Sequence, residues 1–300
     1  MAKMKASVKN GMQGRKIKRS PADQAVQVLI YLFIASFALI TLLPFLYVIA
    51  GSFATEKELT ERAFFIIPHT ISLNAYKYIF ANGETIRGLL NSVFVTVVGV
   101  AINMFLSCTL AYPLSRNYFK GRNFFINMVI VTMLFTGGMV PTYILVANVL
   151  NLRDSFWALW LPGAIKNYFQ GLPMELEESA RLDGCNDLQI FMKIILPLSK
   201  PVLASVSLFY AVTHWNSYFN AMMYISDSKK EVIQIVLRRI IFMTSSVATQ
   251  SGMDFGAFGT PPEQSVKMAT TVVATIPILI IYPFIQKYFT KGVMVGAVKG

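Results

Sequence analysis

No Gly-x-x-x-x-Gly-Lys-Ser/Thr string occurs in these 300 residues, so the chain has no loop of its own for cradling the phosphates of ATP. A His-Glu-x-x-His helix and a Cys/His cluster at metal-ligand spacing are also missing. The two histidines, His69 and His214, fall in different halves of the sequence. The two cysteines, Cys108 in an apolar run and Cys185 in a charged segment, do not suggest a disulfide. Charge is scarce at 14% of residues, against about a quarter in soluble domains. Acid is scarcer still, with 15 Asp and Glu against 27 Lys and Arg, and the long apolar runs hold almost none. A proton-coupled carrier relying on membrane-buried carboxylates is therefore disfavoured. So is an enzyme, for want of a nucleophile–base pair.

What is abundant is apolar surface, at 55% hydrophobic residues, which places the chain among all-α integral membrane proteins. The net charge of +12 does not point to nucleic acid, because it is concentrated ahead of an apolar run. Lys3, Lys5, Lys9, Arg15, Lys16, Lys18 and Arg19 crowd the start, as in membrane proteins that keep this end in the cytoplasm. The first apolar run, Val26–Ala50, is longer than the roughly 7–15 residues of a secretory core and reads as an uncleaved anchor. A crossing needs roughly 20 apolar residues. That rule predicts spans near Val26–Ala50, Leu89–Leu114, Phe124–Ala147, Pro201–Ile225 and Met268–Tyr288. Pro44, Pro141, Pro277 and Pro283 predict kinks, most of all where Gly137-Gly138 precedes Pro141.

A further stretch, Ser155–Phe169, is short and interrupted by Pro162-Gly163 before Lys166. Counting it makes six transmembrane helices and puts the basic tail, the Arg116–Arg122 loop and the Lys287, Lys291 and Lys299 tail on one side, three segments that together hold 13 Lys and Arg and one acid, Asp23. The positive-inside bias favours this six-span arrangement, with both termini cytoplasmic. The expected organisation is a basic cytoplasmic tail (1–25), a first helix and outer loop (26–87), a main transmembrane domain (88–290) with short helices at 173–197, and a cytoplasmic tail (291–300). In the outer segment, Glu231 to Phe242 has amphipathic helical spacing, suited to the outer membrane face, to a partner or to the protein's own loops.

Between two apolar runs lies a charged pattern: Glu178-Ser179-Ala180, three residues, Gly184, nine residues, Ile194, one residue, Leu196-Pro197. Such a segment cannot lie in lipid, and six spans place it in the cytoplasm. Pro173 suits a first helical turn, with Glu175, Glu177 and Glu178 near the positive end of its dipole. Ala180 and Gly184 give one small-residue face, and Gly184 lets the chain turn into a second short helix, Asp187 to Ile195, ended by Pro197. Leu182, Phe191, Ile194 and Leu196 would brace the pair into a rigid docking knob.

This pattern resembles the EAA loop of permease subunits of bacterial ABC importers, with Ser179 replacing the first alanine. The string Glu177 to Cys185 and the ending Gly292 to Gly300 resemble the carbohydrate branch, MalG-like and LplC-type. The resemblance implies a type I ABC importer permease fold in a bacterial cell membrane, paired with a second permease as a heterodimer. It also implies a cytoplasmic ATPase dimer, which binds the ATP and magnesium that this chain does not, and an extracellular solute-binding lipoprotein. Glu178, Ser179, Ala180, Arg181, Asp183 and Gly184 would then contact the ATPase. The family's helix before this loop is fuller than the stretch around Ile165-Lys166, implying a bent or thinned span here.

One predicted span carries Tyr210, Thr213, His214, Asn216, Ser217 and Asn220, which share one arc of a continuous helix while Trp215 points away. Polar groups at that depth face protein or a water-filled path. They suit a sugar path through hydroxyl and amide hydrogen bonds, and equally suit bonding between helices. The sequence thus predicts a fuel-less permease half for an oligosaccharide or related sugar, with an ion- or proton-coupled secondary transporter as the alternative.

Overall fold

The computed structural model describes residues 21–81, 83–116, 118–135, 137–166, 186–243 and 263–297, and among these every regular element is helical. Helix α1 (Pro21–Ser52) starts with a proline and an acidic first turn and runs through Pro44. Two short outer helices follow, α2 (Glu56–Glu61) and α3 (Asn74–Phe80), and then the long α4 (Glu84–Ser115). Helix α5 (Arg122–Leu134) is followed by α6 (Met139–Tyr143), which widens into a π-helical Ile144–Val149. Helix α7 (Trp157–Lys166) precedes the charged segment. Beyond it come α8 (Asp187–Ile190), α9 (Lys200–Trp215), α10 (Tyr218–Tyr224), α11 (Ile233–Met243) and α12 (Glu263–Ala297).

Three described helices are long and apolar enough to cross a membrane: Asp23–Ser52, Glu84–Ser115 and Gln264–Pro283. A fourth candidate is bent by 79° between Asp187–Leu198 and Val202–Trp215. The predicted third span is a broken one, because the chain leaves the helix after Leu134 and re-enters it at Met139. Gly138, at φ 84° and ψ 175°, adopts a conformation that a side chain would oppose, and Pro141 then occupies the new first turn. Pro162 does not interrupt the short span as expected, since α7 continues past it to Lys166. A proline costs one ladder bond, which packed neighbours can offset. The rest of that stretch lies outside the described residues. The predicted fifth span is also split, with α9 ending at Trp215 and α10 starting at Tyr218.

The core lies where α4, α6, α7 and α10 meet, around Val95, Val146, Ala158, Leu159, Trp160, Ala221 and Tyr224. Trp160 brings a polar atom into it and satisfies it by donating Nε1–H to the Val95 carbonyl at 3.0 Å. Helix α11 is amphipathic as predicted, but its apolar face turns inward. Ile233, Val236 and Leu237 are buried, and Gly88 of α4 leaves room for Val236. Of the seats left open by the sequence (outer membrane face, partner or the protein itself), the helix takes the last, packing against the protein's own bundle. By contrast, none of the most apolar stretch of α1 is buried, with Phe33 72% and Ile40 67% exposed. Only its end, around Ala50, packs with Leu59, Phe65 and Met268.

An outer clasp joins two turns distant in sequence. Asn151 and Asp154 hold φ of 50° and 56°, a region most side chains avoid. Asp154 Oδ1 accepts the backbone N–H groups of Ser226 at 2.5 Å and Asp227 at 3.0 Å, while Lys230 Nζ donates to the Asp154 carbonyl at 2.7 Å. The loop beyond is fixed to α4. Asn91 Nδ2 donates to the carbonyls of Lys229 and Glu231, each at 2.9 Å, and Ser92 Oγ accepts from the Ile233 N–H at 2.8 Å.

The N–H groups of Ser226 and Asp227 hold the Asp154 carboxyl below the usual range, with Arg153 and Lys230 adding to the effect against the opposing influence of burial. A depressed folded value means that the clasp stabilises above about pH 4 and fails as pH drops through that folded value. Proteolysis of the outer loops should therefore be slow at neutral pH and accelerate below about pH 4. Asp154→Ala should be cut quickly at neutral pH, with little further change in acid. A second prediction concerns helix spacing: a Cβ at Gly99 would lie 2.6 Å from His214 Nε2. Gly99→Val should lower the thermal stability of the purified protein by about 1–3 kcal/mol. Adding His214→Ala should recover part of that loss.

Candidate functional site: a lever segment and a divided polar stripe

Glu178, Ser179, Ala180, Arg181, Asp183 and Gly184, and with them Leu182 and Cys185, lie outside the described residues. The description resumes at Asn186, where the second half of the expected knob begins. Asn186 forms a reciprocal cap with Gln189: its Oδ1 accepts the Gln189 N–H at 2.8 Å, and Gln189 Oε1 accepts the Asn186 N–H at 3.1 Å. This cap starts α8, and the chain remains helical through a π-helical Phe191–Ile195 and a short Leu196–Leu198 turn. Pro197 does not end it early as expected. It sits in the first turn of its own short helix, where a missing N–H is tolerated, and the chain turns at Ser199.

This segment is fastened to the inner end of α4. Tyr112 OH donates to the Asp187 carbonyl at 3.0 Å, and the Tyr112 and Phe191 rings lie 4.9 Å apart. The Arg116 guanidinium covers the other part of that ring, 4.4 Å from its centroid. Ile190 and Phe191 are buried, whereas Leu188, Met192 and Leu198 remain 57% or more exposed. The segment thus has one face tied to the bundle and another that is apolar and exposed among the described residues. That is the form of a lever which a separate body could grip.

The polar stripe divides into two groups. Tyr210 and His214 are buried and bonded to α4: Ser107 Oγ and Tyr210 OH are 2.6 Å apart, and Asn103 Nδ2 and His214 Nε2 are 2.9 Å apart. Gly99 makes room for the imidazole. Asn103 is 2% exposed, yet its Oδ1 has no partner among the described residues. Reversing its amide would only transfer that deficit to the nitrogen. Thr213, Asn216 and Asn220 are exposed, while Ser217 has a buried hydroxyl without a partner among the described residues. The single arc held only for a continuous helix, and the break at Asn216-Ser217 removes that continuity. Trp215 does point elsewhere, being buried against α12 with Nε1–H donating to the Ala274 carbonyl at 3.2 Å.

Sequence reasoning missed the α4 side of this contact. Thr96, Gly99, Asn103 and Ser107 recur at helical spacing, a polar and small-residue face that periodicity could have exposed. It also missed Tyr112, for which neighbouring residues gave no signal. Among the described residues no group of three or more His, Cys, Asp and Glu side chains could hold a metal ion.

Similarity to known proteins agrees with this architecture. Residues 14–295 match the family described as binding-protein-dependent transport system inner membrane component. The chain is 50% identical to protein LplC of Bacillus subtilis (strain 168) over 287 residues, covering 93% of this chain and 96% of that protein. It is 53% identical to the polygalacturonan/rhamnogalacturonan transport system permease protein YtcP of the same organism over 286 residues, covering 93% and 99%. A solved bacterial ABC transporter involved in import of the acidic polysaccharide alginate has a chain that superposes with a TM-score of 0.77 at 30% identity, covering 90% of this chain and 99% of that one. The family acts with a binding protein and an ATPase, and its members are transport subunits and not enzymes. The chain belongs to the binding-protein-dependent transport system inner membrane component family, as a membrane-embedded permease subunit of the type I ABC importer fold.

Proposed function

We propose that this chain is one half of a heterodimeric permease that admits an oligosaccharide delivered by an extracellular binding protein. An ATPase dimer on the cytoplasmic side drives the cycle by gripping the knob formed by Glu178 to Pro197. Both termini lie in the cytoplasm with that ATPase. The observation that carries this function is the 50–53% identity, over nearly the full length of each relative, to permeases that include one for polygalacturonan and rhamnogalacturonan. The lever geometry supports the direction of drive, since the segment after Asn186 is bound to the long α4 and has apolar side chains to spare. ATP and magnesium belong to the ATPase, and this chain supplies only the mechanical contact.

Within the stripe we assign two roles. Tyr210 and His214 hold α9 against α4, while Thr213, Asn216, Ser217 and Asn220 supply hydroxyl and amide groups to the sugar path. Phe209, Val212, Thr213 and Asn216 fall on one helical face and are all exposed, a mixed surface suited to sugar hydroxyls and ring faces.

Two substitutions separate drive from passage. Gly184→Asp should leave the protein in the membrane with its partners but abolish uptake, and normal uptake by that variant would refute the docking role. Asn216→Leu should reduce uptake while the ATPase stays bound, and unchanged substrate handling would reassign the exposed stripe to packing. The lever makes a third prediction. Tyr112→Ala removes the hydrogen bond to Asp187, the ring contact with Phe191 and the seat of the Arg116 guanidinium, together worth about 1–4 kcal/mol. Backbone hydrogen exchange across 186–198 should accelerate, and uptake should fall more steeply than ATP hydrolysis. Equal losses would mean that Tyr112 merely supports folding.

A further inference from the structure

Helix α11 presents two adjacent arginines with opposite circumstances. Arg239 is neutralised, with its guanidinium paired to Glu231 and also 3.4 Å from Glu84. Arg238 is exposed and has no ion pair with any described residue. Its guanidinium carbon lies 5.0 Å from the centroid of the Tyr218 ring, and Nη1 donates to Met222 Sδ at 3.2 Å. Thioether sulfur is a weak acceptor, so most of the five guanidinium donors are left for something else. The ring beneath is itself fixed, because Tyr218 OH donates to Met222 Sδ at 2.9 Å.

The position of this shelf gives it a purpose. Tyr218 is the first residue of α10 and follows directly on the break at Asn216-Ser217, its N–H donating to the Asn216 carbonyl at 2.8 Å. The shelf is therefore tied through the backbone to Asn216, a residue that is itself exposed. A guanidinium held flat on an aromatic ring offers a planar fork for a carboxylate, and the rest of the ring offers a face for a pyranose. Adjacent hydroxyl and amide groups complete the chemistry of a charged sugar.

We propose that Arg238, seated on Tyr218, is a specificity-determining residue that receives the carboxylate of a uronate-containing oligosaccharide. This rests on the oligosaccharide reading above and narrows it from sugars in general to acidic ones. Tyr218 orients the cation, and Asn216 bonds a neighbouring hydroxyl.

The test uses the complete complex with its partner permease, ATPase and binding protein, reconstituted in vesicles. The probes are a trigalacturonate and its methyl ester. Arg238→Gln should lower trigalacturonate uptake by about tenfold or more, and Arg238→Lys, which keeps the charge but loses the fork, should recover part of it. ATP hydrolysis stimulated by the binding protein and the thermal stability of the complex should both stay at the unsubstituted level. Unchanged trigalacturonate uptake overturns the assignment. So does a fall in uptake matched by a fall in ATP hydrolysis or stability, which would mark Arg238 as structural. If the unsubstituted complex takes up the ester and not the acid, the carboxylate assignment fails while the oligosaccharide reading stands. If it takes up neither, the oligosaccharide reading fails, and this assignment with it.

Discussion

The close approach of α4 and α9 at Gly99 is the constraint on which the rest depends. In a bilayer, apolar side chains gain little by touching each other instead of lipid, so helices are held by close packing and by hydrogen bonds that hydrocarbon cannot replace. Gly99 allows the His214 imidazole into space that any Cβ would occupy, and this brings Asn103 within bonding distance of it. One turn further along, Ser107 and Tyr210 repeat the arrangement. Such bonds average well under about 1 kcal/mol each in membrane proteins. The interdigitation therefore contributes more to the pairing than the hydrogen bonds, which fix its register.

Helix α4 carries this register to both surfaces. Its 32 residues at 1.5 Å each extend about 48 Å, more than the thickness of the hydrocarbon core. At the inner end Tyr112 binds the lever at Asp187 and Phe191. At the outer end Asn91 and Ser92 bind the loop running from Lys229 to Ile233, which the Asp154 clasp joins to the turn before α7. One stiff helix thus joins the 186–198 segment, the polar centre and the loop from Lys229 to Ile233. A displacement at Asp187 is transmitted along a rod already bonded at each level.

Much of this was legible in the sequence, for identifiable reasons. The spans could be read because the need for about 20 apolar residues leaves a mark on composition. The break near Gly137-Gly138 was legible because glycine and proline act locally. The docking pattern at 178–197 was legible as a spacing, although its first half lies outside the described residues. What stayed hidden depends on residues brought together by folding. The Asp154 carboxylate finds N–H groups 72 and 73 positions away, and no local pattern announces such a meeting. The break at Asn216-Ser217 was hidden because neither residue is a strong helix breaker. Arg238 and Arg239 look interchangeable in sequence and differ only in which acids the fold places beside them.

The distribution of exposed surface indicates where movement can occur. If α4 and α9 move as one body, alternation must take place at faces not committed within the chain. Two such faces stand out. One is most of α1, whose most apolar stretch is unburied among the described residues, ahead of the packing at Tyr47 and Ala50. The other is the mixed face of α9 bearing Phe209, Val212, Thr213 and Asn216. A purely lipid-facing surface has no use for Asn216, and a purely static interface would be expected to satisfy it with a fixed partner in the same chain. A face that meets sugar, water and a second permease in turn needs both kinds of group, with neither bonded permanently. The division along one helix, with His214 and Tyr210 committed inward and Thr213 and Asn216 left free of neighbouring helices, is what a rigid wall of a moving path requires.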